Sequence, residues 1–277
     1  MFLALTLAAC STNRLAFNHA PTLVYYWLDS YFDFDGPQSL AIKDSLQSLQ
    51  AWHRQQELPQ LAELLKNLQP VATQDISADQ ACTLWDFVRQ RMQAPLTQLT
   101  PALARLAGSL KPEQVEHVAA EFNKRNQKWR AEWLDLTPAQ RIDRRSQQIV
   151  ERSEQFYGRL DEAQRALVRS QVLASGYDPE MAHQEMLRRQ QDSLQTLGRL
   201  RNGSIAADTA QTELHGLFAR AALSPDLAAR RYSEGVTRAG CVAVAAVHNS
   251  SSAAQRARLV KTLQGYEADA RALMQVP

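Results

Sequence analysis

Long hydrophobic runs are missing from this chain, and glycine, cysteine and histidine are sparse. Its 277 residues include ten glycines, three cysteines and six histidines. Beyond the first ten residues, no stretch approaches the roughly 20 apolar residues that a membrane-spanning helix needs. No G-x-G-x-x-G or G-x-x-x-x-G-K-[ST] sequence is present, which removes the usual dinucleotide and phosphate cradles. No G-x-S-x-G nucleophile turn occurs either. His19, His53, His117, His183, His215 and His248 are scattered, with no i, i+4 pair. A local metal site is therefore unsupported, and no cofactor is expected. Period-two alternation is also lacking, which argues against a half-buried strand. Neither sign of charge dominates: 31 Lys and Arg face 29 Asp and Glu. Residues 10–100 carry 6 basic against 9 acidic side chains, and residues 101–277 carry 25 against 20. An excess of five over so long a segment is too dilute to attract nucleic acid.

What is present begins at the N-terminus. Leu3, Leu5 and Leu7 sit in a short apolar run that ends in Leu7-Ala8-Ala9-Cys10. Small residues before a cysteine, after a run too short to span a bilayer, read as a lipoprotein signal peptide over residues 1–9. Cys10 is then the expected lipidation site and the mature N-terminus, anchored to a membrane through its acyl chains. No Lys or Arg precedes the run, which departs from the usual basic leader. Residues 10–277 are expected to form a single helical domain outside the cytoplasm.

Helix starts are unusually legible. A cap residue followed three positions later by glutamine recurs as Asp35…Gln38, Ser77…Gln80, Thr137…Gln140, Asp161…Gln164, Asp208…Gln211 and Ser252…Gln255. Lys111…Gln114 shares the shape without a capping side chain. In such a box the cap oxygen accepts a first-turn amide, and the glutamine reaches back to the cap amide. Pro37, Pro112 and Pro138 suit the first helical turn. The pattern predicts helix starts near residues 36, 77, 112, 138, 162, 209 and 253, with breaks or kinks at Pro59 and Pro95. The fold class is all-α, an irregular multi-helix bundle of about ten helices. The polar segment 178–202 reads as a long, exposed and mobile helix that frays near Gly198 and Gly203.

Once Cys10 is set aside, Cys82 and Cys241 form an even pair. An oxidising compartment favours a disulfide between them, and the alternative is two buried thiols. Such a bond closes a loop of about 160 residues, worth roughly 5 kcal/mol before strain. Both cysteines are expected to face a core. Residues 17–34 hold seven aromatics, among them Tyr25, Tyr26, Trp27 and Tyr31. Their helical spacing reads as a first helix packed into the bundle; the competing reading is an aromatic belt at lipid headgroups. Asp29, Asp33 and Asp35, beside Gly36 and Pro37, read as a helix-entry turn. The arginine-rich middle from Lys124 to Arg152 interleaves with Glu121, Glu132, Asp143, Glu151 and Glu154, and reads as ion pairs along helices.

Several segments together resemble an uncharacterised family of Gram-negative envelope lipoproteins. They are the lipobox, Tyr25-Tyr26-Trp27-Leu28-Asp29, Phe32-Asp33-Phe34-Asp35, Ala51-Trp52-His53-Arg54 with Glu57-Leu58-Pro59, Ala81-Cys82, and Cys241 with His248-Asn249 and the last helix. The resemblance implies an all-helical periplasmic protein and names no activity. Leu136-Thr137-Pro138-Ala139-Gln140, and less fully Leu160-Asp161-Glu162-Ala163-Gln164, are also similar to the Leu-Thr-x-x-Gln motif of small periplasmic stress proteins, which are chaperone-like. Ser11, rather than Asp, follows Cys10, which by likeness to sorted lipoproteins points to the periplasmic face of the outer membrane. The expected role is non-enzymatic: a binding, scaffold or chaperone-like module with envelope proteins as partners. The alternative is an envelope hydrolase whose site assembles only in the fold.

Overall fold

A computed structural model describes residues 8–201, 203 and 205–275, with side chains from residue 12 onwards. Residues 1–7 of the expected signal segment and the Cys10 side chain lie outside the described residues. Among the described residues there are twelve α-helices and no strand. They are α1 (Ala8–Asn18), α2 (Ala20–Phe32), α3 (Gly36–Trp52), α4 (Leu58–Val71), α5 (Ala78–Ser109), α6 (Pro112–Trp129), α7 (Pro138–Tyr157), α8 (Glu162–Ala174), α9 (Pro179–Leu200), α10 (Ala207–Ala222), α11 (Leu227–Asn249) and α12 (Ala253–Met274). Two π-turns, His53–Glu57 and Arg130–Leu134, follow α3 and α6 without a break. The all-α expectation holds. A joint at His19 separates α1 from α2, and the first π-turn separates α3 from α4 beside the break or kink expected at Pro59.

Local chemistry set most of the starts. Asp35, Ser77, Thr137, Asp161 and Ser252 each accept a bond from the backbone N–H of the glutamine three residues on, and each glutamine Oε1 accepts one from the cap backbone N–H. At α6 only the return half exists: Lys111 N–H donates to Gln114 Oε1 at 3.0 Å. The box expected at Asp208 does not form. Helix α10 starts at Ala207 behind Ala206, which offers no capping side chain, so Asp208 sits inside the first turn. Pro59 lies in the first turn of α4, whereas Pro95 and Pro101 lie within an unbroken α5 of 32 residues. Packing of α5 against α3, α10 and α11 outweighs the hydrogen bonds those prolines remove. Gly158 closes α7 at φ 76°, a conformation that suits glycine.

The boxes do more than start helices; four of their glutamines meet in pairs. Gln38 Nε2 donates to Gln114 Oε1 at 3.1 Å, and Gln114 Nε2 donates to Gln38 Oε1 at 2.8 Å. Each also donates to the helix end that precedes its partner: Gln38 to the Ser109 carbonyl at 2.9 Å, and Gln114 to the Phe32 carbonyl at 2.9 Å. The same wiring recurs between Gln164 and Gln255, at 2.8 and 2.9 Å. There Gln164 reaches the Ser250 carbonyl and Gln255 reaches the Arg159 carbonyl. Two helix N-termini thus abut at each clasp, and every orphan donor and acceptor on the four amides finds a partner.

The apolar core is divided into patches around these clasps. Tyr25, Ile42, Leu46, Leu106 and Leu110 join α2, α3 and the end of α5. Ala104, Ala107, Leu200, Leu214 and Leu217 join α5, α9 and α10. Helix α12 packs along α4 through Leu58, Ala62, Leu65, Leu259, Leu263, Ala270 and Leu273. Val150, Leu160, Val168 and Val247 join α7, α8 and α11. Cys82 and Cys241 are bonded, with Cα atoms 5.3 Å apart, which ties α5 to α11. Only Cys241 is buried; Cys82 is half-buried beside Arg238, so the expectation that both face a core is corrected.

Segment 178–202 is also corrected: it is not a loose polar helix. Glu185 accepts bonds from Arg188, Arg189 and Ser224, while Arg220 pairs with Asp192 through two bonds of 2.9 Å. The Asp192–Arg220 pair thus ties α9 to α10, and Glu185 with Ser224 ties it to the turn that follows. Thr196 and Leu200, near its end, are fully buried.

Candidate ligand cavity

Five helices, α2, α5, α6, α9 and α10, leave an apolar cavity of about 380 Å³ between them. That is within the range of small-molecule sites. Its walls come from Leu103, Leu106 and Ala107 on α5, Leu197 on α9, and Leu214 and Leu217 on α10. Aromatic rings line the opposite side in a run: Trp27 lies 5.3 Å from Tyr31, and Tyr31 lies 6.0 Å from Phe122. Two polar side chains reach it, Arg125 on α6 and Ser193 on α9. Their helices are locked in register by a reciprocal amide pair one residue from Arg125 and three from Ser193. Asn126 Nδ2 donates to Gln190 Oε1 at 2.9 Å, and Gln190 Nε2 donates to Asn126 Oδ1 at 3.0 Å. Arg125 is exposed and makes no ion pair among the described residues. The site therefore offers a long apolar wall and one guanidinium at its rim, which suits an apolar chain that ends in an anionic or acceptor-rich head.

Much of the remaining arginine-rich surface is engaged, but the expected pairs along a helix are few, Lys124 with Glu121 and Lys128 with Glu132; the arginines mostly reach other elements, rings and carbonyls. Arg144 reaches Glu132 at 3.2 Å and lies over the Trp133 ring, and Arg145 lies 3.7 Å from the Tyr177 ring centroid. Arg141 donates to the Leu134 and Leu136 carbonyls. Arg125 was indistinguishable from these neighbours in the sequence. Only the fold separates it from them, by turning it toward the cavity.

A second cavity, also about 380 Å³, lies between the first π-turn with α4 and the middle of α5. His53, Glu57 and Arg91 reach it, with Leu61, Leu64, Phe87 and Met92 as apolar walls. The Glu57 carboxylate is buried, with Arg91 Nη1 at 3.5 Å. Burial holds the His53 imidazole below its ordinary pKa, against the opposing pull of Glu57. His53 Nδ1 is buried without a hydrogen bond. The cavity lining includes no Ser, Thr, Cys or Lys, so the groups available for attack there are the Glu57 carboxylate, the His53 imidazole and water.

The other singled-out residues have structural partners. His248 is buried, with Nε2 2.7 Å from the Gln74 carbonyl and Nδ1 2.9 Å from the Tyr157 hydroxyl. Asn249 exchanges two 2.9 Å bonds with the backbone of Ile76. Together they pin the α4–α5 loop onto the end of α11. Asp35 caps α3 and pairs with Lys111 at 3.0 Å; hydrogen bonds from Gln38 N–H and Lys111 hold its carboxyl below the usual range. The aromatic segment divides. Tyr25 is buried, its hydroxyl 3.0 Å from Ser39, whereas Tyr26 and Trp27 are exposed, so packing accounts for only part of it. Among the described residues no cluster of His, Cys, Asp or Glu could hold a metal, and no helix is long and apolar enough to cross a membrane.

No curated protein and no solved structure matches the chain. Residues 30–220 match a family of unknown function, DUF6279, a span that holds the first glutamine clasp and nearly all of the cavity wall. The chain belongs to the DUF6279 family.

Proposed function

We propose that this protein binds an amphipathic ligand, an apolar chain with an anionic head, in the cavity bounded by α2, α5, α6, α9 and α10. The observation that carries the reading is the pairing of that apolar volume with Arg125, which has no ion partner among the described residues. The proposal sets the molecule in the bacterial envelope, acylated at Cys10 and held at the periplasmic face of the outer membrane, where acyl-chain compounds abound. The role is binding rather than catalysis, and the cavity serves as a carrier or sensor site. Titration of the full chain carrying Cys10→Ser with a fluorescent long-chain carboxylate tests it. Saturable binding near one equivalent is expected. Ser193→Phe, which fills the rim, should abolish it. Arg125→Ala should weaken it by about tenfold. Absence of saturable binding, or equal affinity in both variants, would sink the reading.

A hydrolase reading rests on one observation, the buried Glu57 and His53 at the second cavity. It requires turnover of an ester or amide that disappears in Glu57→Gln.

A further inference from the structure

The second cavity holds two buried polar groups whose hydrogen bonds are unmet. Glu57 is 7% exposed, and its carboxylate accepts no hydrogen bond among the described residues. Arg91 Nη1 stands 3.5 Å from it, which balances the charge, but gives its hydrogen bond to Gln60 Oε1 at 2.7 Å. His53 Nδ1 is buried in the same wall, also without a partner. Polar groups buried in this way are costly to the fold and call for a reason. The two residues are the first and last of the π-turn, where Leu58 N–H donates to the His53 carbonyl. That turn has a local cause. Pro59 offers no N–H to the Gln55 carbonyl and crowds it with its ring, so the ladder opens by one residue. Single π-turns inside helices recur at functional sites. Here the turn leaves both side chains lining one cavity, with Leu64, Phe87 and Met92 as apolar walls.

We infer that this second cavity binds a small uncharged molecule with an apolar body and one hydroxyl group, a phenol or an alcohol. Charge selects the head. An anion would meet the buried Glu57 carboxylate, and Arg91 is already shared between Glu57 and Gln60. An ammonium would sit beside Arg91, which already balances Glu57. Burial holds the His53 imidazole neutral at pH 7, so it adds no charge of its own. Glu57 acts on His53 through its charge, so the two lie close enough for one ligand group to serve both. A hydroxyl has one proton to give and lone pairs to receive. It donates to the Glu57 carboxylate and accepts from His53 Nδ1–H, which answers both unmet groups at once. Phe87 and Met92 suit an aromatic body beside that hydroxyl. The site is separate from the cavity beside Arg125, needs no turnover, and stands whether or not that first cavity takes a ligand.

Fluorescence titration of the full chain carrying Cys10→Ser with 2-naphthol at pH 7 tests the site. Saturable binding near one equivalent is expected. Naphthalene, which lacks the hydroxyl, and the anionic 2-naphthoate should each compete at least about tenfold more weakly. Glu57→Gln, which keeps the shape and removes the charge, should weaken 2-naphthol by about tenfold. Met92 is 66% exposed at the cavity wall, so Met92→Trp should fill the cavity and abolish binding without harm to the fold. Ser193→Phe, at the rim of the first cavity, should leave 2-naphthol binding unchanged. In nitrogen-15 spectra the His53 Nδ1 signal should move with 2-naphthol and stay still with naphthalene. The site is overturned by any of four results. They are no saturable binding, naphthalene or 2-naphthoate as tight as 2-naphthol, binding that survives Met92→Trp or is lost in Ser193→Phe, and a His53 signal that 2-naphthol does not move.

Discussion

Gln38 and Gln114 stand at the third positions of two different helices, and each donates its side-chain amide to the other's carbonyl oxygen, at 3.1 and 2.8 Å. Both are buried, and both also hold their own helix start. The pair is therefore a fully satisfied polar link inside a core, of the kind that fixes one arrangement of helices over its competitors.

Loss of either partner strands several groups at once. Gln114→Leu leaves the Phe32 and Asp33 carbonyls, the Lys111 amide and half of Gln38 without their bonds. We expect a loss of about 2–4 kcal/mol in urea unfolding. Gln140→Ala, in an exposed box with no glutamine partner, should cost about 1 kcal/mol or less. A double-mutant cycle on Gln38 and Gln114 should show clear coupling, and additive losses would contradict the clasp.

Removing the disulfide should also destabilise. It spans 159 residues, so its bond restricts the unfolded chain strongly. Cys82→Ala with Cys241→Ala should lower stability by about 2–5 kcal/mol. Reduction of the wild-type protein should reproduce the loss, and thiol titration before reduction should find neither cysteine free.

Acid should loosen the junction of α9 with α10. Burial works against the Glu185 carboxylate, yet hydrogen bonds from Arg188, Arg189 and Ser224 and the Arg188 charge prevail and hold its pKa to about 2, below 4.5. A depressed carboxyl stabilises fully above its unfolded value and loses that contribution as pH falls through its folded value. Stability should therefore decline between pH 4.5 and 2. Glu185→Gln should be less stable at neutral pH and show a shallower acid decline.

Alkali acts on Tyr157 instead. Burial pushes the Tyr157 phenol up to about 12, against the pull of Arg256. A raised group is neutral with the protein folded, so its contribution is intact below pH 10 and is lost as pH rises toward 12. Tyr157→Phe should remove that alkaline decline. It should also cost about 1–3 kcal/mol at neutral pH, because His248 Nδ1 then lies buried without its partner.

The helix starts were legible because a capping box is a three-residue pattern whose bonds are local. What each box would touch was not. Leu160-Asp161…Gln164 and Leu136-Thr137…Gln140 look alike in sequence, yet Gln164 meets Gln255 while Gln140 stays at the surface. Hydrophobicity alone likewise does not mark the covered face of α3: Leu40 is 65% exposed, and the buried line runs through Gln38, Ile42 and Leu46. A glutamine led that line because its hydrogen bonds, not its hydrophobicity, account for its burial. The cavity wall was illegible for a related reason: it draws on five helices whose apolar positions share no spacing.

The bond between Cys82 and Cys241 turns residues 82–241 into a closed ring, with the remaining chain as two tails. Gln114 and Gln164 belong to the ring, and Gln38 and Gln255 belong to the tails, so each clasp stitches one tail to the ring. The tails also grip one another, since α4 packs along α12 and Asn13 and Arg14 hold Asp269. Tension applied between the two ends would thus pass from tail to tail and bypass the ring. A protease that nicks the turn between α10 and α11 would cut the ring once and release no fragment until the disulfide is reduced.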